Sequence, residues 1–251
     1  MSRSVNMSTT ALPREVQAIR DAIALAMRVP DPQRPSQTIG RAKAGIYAFF
    51  DYDGEPIYVG QTAEGFSARI GRHLTGQRSD AVAKYVLDPF EVHTVSMWSL
   101  PLIGDMPAGQ RKAALDPYEY TVYRQLLKES TFGAILNEGE IAAGPIQVLP
   151  RPVREVIIPD HIFPDRSHPD VRIARRAQTI SLLAKNISER KVSKGLRRTL
   201  LTQTERLNSL ARRRFEATEG VIELEEEEGS VGSPNLFSVD ASYPSERLSG
   251  S

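Results

Sequence analysis

Three sets of side chains in this sequence have types and spacings suited to chemistry rather than core filling. Glu119 shares one helical face with Leu115, Val122 and Leu126. A carboxylate among apolar neighbours is costly unless it is paired with a cation, bound to a metal or held at the rim of that face. From the helix alone, a structural salt bridge and a metal site stand equally open. Arg69 and His73 are four residues apart with Arg72 beside them, so they project together from one short helix. A forked, permanently charged guanidinium suits a phosphoryl centre, although a surface pair accounts for the spacing equally well. Tyr47 and Tyr58 fall on the two arms of an expected hairpin, where tyrosines are usually packing residues. The chain has no cysteine and four histidines, which excludes disulfides, thiolate zinc sites and cysteine nucleophiles and makes oxygen ligands the expected metal chemistry. His93, His161 and His168 have no partner at ligand spacing.

The elements that must position these residues follow from periodicity and turn chemistry. Ala44 to Phe50 and Pro56 to Gly60 are rich in β-branched and aromatic residues and flank Asp53-Gly54, a strong hairpin signal. Phe66, Ile70 and Leu74 predict a short helix, and Val92, Val95, Met97 and Trp98 a third strand. Leu115, Val122 and Leu126 predict a longer helix that stops before Thr131 to Gly133. Ahead of them, Val16, Ile19, Ile23 and Met27 predict an N-terminal helix, followed by a proline-rich linker over Pro30 to Gln37. The order β-β-α-β-α has too few alternations for a Rossmann sheet. The expected fold class is α+β, a small three-stranded antiparallel sheet flanked by helices, with helical extensions. The expected organisation is helix and linker over 1–40, a core over 41–150, a basic helical extension over 151–216 and an acidic disordered tail over 217–251.

A length of 251 residues with 40% hydrophobic and 25% charged content supports a real core and excludes wholesale disorder. The net charge of +1 conceals segregation, because from Val171 to Glu216 basic residues exceed acidic ones by 10. Two apolar stripes run through this block: Ile173, Ala177, Ile180, Ala184 and Ile187, then Leu196, Leu200, Leu207 and Leu210. They predict a pair of amphipathic helices. The arginines outnumber nearby acids too far for intrahelical pairs to absorb them. The block therefore reads as nucleic-acid-binding through Arg175, Arg176, Lys194, Arg197 and Arg198, with solubility or partner-helix packing as the other reading. Arg72 and Lys84 add backbone contacts from the core. The run Glu225 to Glu228 and the Ser/Gly/Pro-rich end read as disordered. The first residues lack an apolar signal core, and no stretch approaches the roughly 20 apolar residues needed to span a bilayer. A soluble, cytoplasmic protein without a membrane partner is expected, nucleoid-associated when bound to DNA.

In combination, these positions resemble the signature of the GIY-YIG nuclease family. Gly45-Ile46-Tyr47 is followed, eleven residues on from tyrosine to tyrosine, by Tyr58-Val59-Gly60. Arg69 with His73, then Glu119, then Asn137 within Ile135-Leu136-Asn137 come in the family's order. Val59 stands where the family's name has isoleucine, and the intervals before Arg69 and between Glu119 and Asn137 are long. The likeness covers Ala44 to Gly139. It implies hydrolysis of a phosphodiester bond with one divalent metal, Mg2+ or Mn2+, per active site. Under that resemblance Glu119 holds the metal, Arg69 stabilises charge on the scissile phosphate and Tyr47 is general base toward the attacking water. Tyr58 and His73 orient Tyr47 or the water, and Asn137 fixes the backbone or contacts phosphate. The expected function is a DNA endonuclease of a restriction-like or phage-defence kind, acting as a homodimer on duplex substrate. A structure-specific repair enzyme, a single-strand or RNA nuclease, and a non-catalytic nucleic-acid-binding protein of the same fold are the alternatives.

Overall fold

The structure, a computed structural model, describes residues 14–74, 88–137 and 141–228, with side chains to 219. In chain order the elements are Arg14–Ala26 (α1), Pro30–Asp31 (β1), Arg34–Thr38 (β2), Gly45–Phe50 (β3), Pro56–Thr62 (β4), Phe66–Leu74 (α2), Thr94–Ser99 (β5), Pro101–Gly104 (α3), Ala108–Glu129 (α4), Val153–Val156 (β6), Phe163–Ser167 (α5), Pro169–Glu189 (α6) and Lys194–Glu228 (α7). The fold class is α+β, with two antiparallel sheets among the described residues.

The β3–β4 hairpin forms where its turn chemistry predicts. Asp51 Oδ1 accepts the backbone N–H groups of Asp53 and Glu55 at 2.9 and 3.0 Å, and Gly54 takes the positive φ of 77° that the reversal needs. This sets the register Tyr47 opposite Gly60 and Phe49 opposite Tyr58. Because successive strand residues point to opposite faces, Tyr47 and Phe49 join Tyr58, Val95 and Met97 on one side, covered by Ile19 and Ile23 of α1 and Phe66 and Ile70 of α2. Ile46, Ala48 and Phe50 join Val59 and Trp98 on the other, covered by Leu115, Val122 and Leu126 of α4. The sheet is thus the middle of three layers, and β3 is buried along its whole length.

The main sheet has four strands in the order β4-β3-β5-β6, not the expected three. The fourth, β6, comes from beyond residue 150 and pairs Met97 with Val153 and Thr94 with Val156. It is short and flanked by Pro150, Pro152 and Pro159, a composition that argues against a central strand but is tolerated at an edge. The stretch over Pro30 to Gln37 also differs from a linker. It forms the β1–β2 hairpin, pinned by the buried Asp31, whose Oδ2 accepts from Ser99 Oγ at 2.7 Å.

The inward face of α6 is rotated by one residue from the expected apolar stripe. Its most buried side chains are Arg172, Arg176, Leu183 and Asn186, while Ala177 is exposed. The reason is an interior ion cluster. Asp51 Oδ2 accepts from Arg206 at 2.6 Å and Arg176 at 3.0 Å, Arg176 Nε also reaches Glu91 at 3.0 Å, and Arg172 reaches Asp53 at 2.9 Å. Guanidinium groups that find buried carboxylates draw their helix face inward ahead of alanine and isoleucine. One compact unit ends at Arg212 and a second begins at Arg213. Helix α7 continues to Glu228, past the expected start of a disordered tail at 217, and residues 229–251 lie outside the described residues. No described helix is long and apolar enough to cross a membrane.

Candidate active site

Tyr47 is the centre of the site, and its position is dictated by its strand neighbours. The ring is fully buried beside Tyr58, at 6.0 Å between centroids, and edge-on to His73 at 5.6 Å. Helix α2 brings Arg69 and His73, one turn apart, onto the same phenol. His73 Nε2 lies 3.1 Å from the Tyr47 hydroxyl and Arg69 Nε donates to it at 3.3 Å. Two glycines make this packing feasible. A β-carbon on Gly60 would fall 2.6 Å from the Tyr47 hydroxyl oxygen, and one on Gly45 would collide with the Phe66 ring that anchors α2. Burial pushes the Tyr47 phenol well above its ordinary pKa, with Tyr58 adding to the shift and Arg69 only partly offsetting it. Tyr47 is therefore a neutral phenol at rest, which differs from the phenolate that a general base of ordinary kind would require.

A second half of the site reaches the same strand from the opposite layer. Gln61, next after Gly60 on β4, donates from Nε2 to Asp116 Oδ1 at 2.6 Å and to Glu119 Oε2 at 2.9 Å. Both carboxylates sit on α4, three residues apart and so on one face. Burial raises the Glu119 pKa above the usual carboxylate value, Gln61 and Arg69 pull it down, and the Asp116 charge pushes it further up. Arg69 and Glu119 thus act on each other electrostatically across the edge of the sheet. Gln61 Oε1 is buried without a hydrogen-bond partner among the described residues.

Asn137 locks the outer edge of β4. Its side-chain amide donates to the Val59 carbonyl at 2.7 Å and accepts from the Val59 N–H at 3.3 Å, while the Leu136 N–H reaches the Ile57 carbonyl at 2.9 Å. One side chain thereby replaces a strand partner. Tyr47, Tyr58, Arg69, His73, Glu119 and Asn137 are all drawn to the β4 edge, the last four by α2, α4 and the segment after α4.

Two residues of this cluster carry no mark in the sequence reading, Gln61 and Asp116. The available signals were adjacency to Tyr58-Val59-Gly60 for Gln61 and the three-residue spacing to Glu119 for Asp116. The donor set they complete is two carboxylates and an amide carbonyl, all hard oxygens, which suits a small divalent cation that keeps several waters. It is Gln61 Nε2 that faces the two carboxylates here, so a cation between them would take the place of that donor, with the amide turned to present Oε1. Among the described residues no group of three or more His, Cys, Asp or Glu is placed to hold a metal.

The residues expected to contact nucleic acid divide. Lys194, Arg197 and Arg198 are exposed on α7. Arg72 is on the surface of α2 and pairs with Glu64. Arg175 is half-buried, with its guanidinium over the Phe90 ring at 5.0 Å, and burial together with Arg166 lowers its pKa. Arg176 is not available for a phosphate: it is 4% exposed and committed to Asp51 and Glu91. Lys84 lies outside the described residues. Comparison with protein-family profiles, with curated proteins and with solved structures returns no match for this chain.

Proposed function

We propose that this chain is a divalent-metal-dependent phosphodiester hydrolase of the GIY-YIG kind, cutting DNA as a restriction-like or phage-defence endonuclease. The observation that carries this reading is the convergence of Arg69 Nε and His73 Nε2 on the Tyr47 hydroxyl, across one strand from the Gln61-bridged Asp116 and Glu119.

Glu119, Asp116 and Gln61 would hold one Mg2+ or Mn2+, which when bound supplies Lewis-acid stabilisation of a phosphoryl or leaving oxygen. Arg69 stabilises negative charge that develops on the scissile phosphate. A buried neutral phenol still serves as a proton relay. With the Nδ1–H tautomer of His73, Tyr47 gives its hydroxyl proton to His73 Nε2 as it accepts one from the attacking water. This relay takes the place of a resting phenolate. Tyr58 packs against the Tyr47 and His73 rings and fixes their angle, and Asn137 holds β4 in place.

The test is cleavage of supercoiled plasmid and phage DNA with Mg2+, beside single-stranded DNA and RNA, with Glu119→Ala and Arg69→Ala as controls. Discrete duplex fragments that both variants lose are expected. Binding without turnover on every substrate and metal would move the protein to the non-catalytic class.

A further inference from the structure

Helix α2 has a second working face. Arg69 and His73 point toward Tyr47, whereas Ser67, Ala68, Gly71 and Arg72, roughly half a turn away, line an open groove of about 700 Å3 between α2 and α1. Arg20, Arg28 and Arg41 line it as well, and the lining contains no acidic, aromatic or amide side chain. Arg72 is answered by Glu64, and Asp21 on α1 is engaged by Gln17. Arg20, Arg28 and Arg41 have no ion-pair partner among the described residues, and Arg20 Nε is buried without a hydrogen-bond acceptor. Among the described residues, a β-carbon on Gly71 would touch nothing within 4 Å.

We propose that this groove binds the sugar-phosphate backbone of the nucleic acid on which the neighbouring site acts, an assignment that rests on the nucleic-acid reading above. Guanidinium forks without carboxylate partners match phosphate oxygens. Ile23 and Met27 give sugar rings an apolar floor. With no ring to stack a base and no amide to read its edge, the groove positions the strand without reading its sequence. That same lack disfavours a free nucleotide, whose base would have nothing to pack on. The groove and the Tyr47 hydroxyl are served by different faces of the same helix, α2. The groove therefore holds the flanking backbone in register while α2 presents Arg69 to the scissile phosphate.

The test uses the full chain and a fluorescent DNA duplex in metal-free buffer, so that binding is read without hydrolysis. The variants are Arg20→Ala/Arg28→Ala/Arg41→Ala and, separately, Ala68→Glu, which adds a carboxylate from an exposed position. The triple variant is expected to lose affinity at least tenfold near 100 mM salt. The slope of log K against log salt should fall by about 2 to 3, at ~0.9 for each phosphate no longer neutralised. Ala68→Glu is expected to weaken binding at low salt and to match wild type at high salt. Unchanged affinity and slope in both variants would overturn the assignment, as would a wild-type chain that binds no duplex. A deoxynucleoside triphosphate that binds wild type and not the triple variant, with duplex affinity equal in both, would overturn it in favour of a free nucleotide. Groove-dependent binding by a chain that never cleaves would leave the groove standing and dispose of the hydrolase reading alone.

Discussion

Gly60 and Tyr47 face each other across the β3–β4 hairpin so closely that the strand residue under the phenol can carry no side chain. A β-carbon there meets the Tyr47 hydroxyl at 2.6 Å and Cζ at 2.7 Å. Gly60→Ala must therefore displace the ring from Arg69 and His73. The expected result is a fold that survives with about 1 to 3 kcal/mol less stability, typical of overpacking, together with a loss of turnover far larger than that of Tyr58→Phe. Denaturant melts and single-turnover cleavage check both parts.

Glu119 predicts a pH dependence with a definite sign. Its folded pKa is raised, chiefly by burial, so the folded state holds its proton to higher pH than the unfolded chain. Stability is lost as pH rises from about 4.3, the ordinary glutamate value, through the folded pKa. In metal-free buffer, Glu119→Gln is expected to flatten that slope and to melt higher than wild type at pH 7. Mg2+ should raise the melting temperature of wild type by mass action and leave the variant unmoved. A wild-type Mg2+ response retained in Glu119→Gln would remove Glu119 as a ligand.

Gln61 separates the two carboxylates that it bridges. In Gln61→Leu the hydrogen bond that lowers the Glu119 pKa is gone, so Glu119 and Asp116 face each other uncompensated and the Glu119 proton is held more tightly. Half-maximal cleavage should need more Mg2+, and the deficit should grow as the pH falls. An unchanged Mg2+ titration would show that Gln61 only packs.

Asn137 can be tested against its own isostere. In Asn137→Asp the carboxylate still accepts from the Val59 N–H but repels the Val59 carbonyl that the amide served at 2.7 Å. A destabilisation of about 1 to 3 kcal/mol is expected at pH 7. It should diminish below the carboxyl pKa, where the protonated acid donates to that carbonyl. A melting difference independent of pH would contradict the edge-locking role.

Asp51 holds the helical extension to the hairpin. It is 2% exposed, and three buried arginines converge on one of its oxygens. Asp51→Ala leaves Arg172 and Arg176 with Asp53 and Glu91, and Arg206 with no ion-pair partner among the described residues. Removing one partner of a buried pair typically costs about 3 to 5 kcal/mol, a loss readable in equilibrium urea unfolding. Added salt should restore little of it, because buried charges are poorly screened.

Local interactions made much of this molecule legible from its residues. The turn at Asp53-Gly54, the helix that pairs Arg69 with His73 and the helix that carries Glu119 among apolar neighbours all depend on contacts within a few positions of each other. Periodicity and turn chemistry report such contacts directly. The six residues Tyr47, Tyr58, Arg69, His73, Glu119 and Asn137 were legible as a set because their order and spacing resemble a known signature.

Only the tertiary structure decided what those elements do to one another. Counting charge along the chain assigned Arg176 to a nucleic acid, because its partners Asp51 and Glu91 lie 125 and 85 positions away and a local count cannot see them. Val153–Val156 became the fourth strand because β5 offered an open edge, not because its proline-flanked sequence demanded one. Burial around Tyr47 raised the phenol pKa, and the packing of β4 against α4 brought Gln61 between Asp116 and Glu119. Sequence sets the reach and chemistry of each side chain, but solvation and long-range pairing belong to the folded whole, since both depend on which distant segments exclude water from a given group.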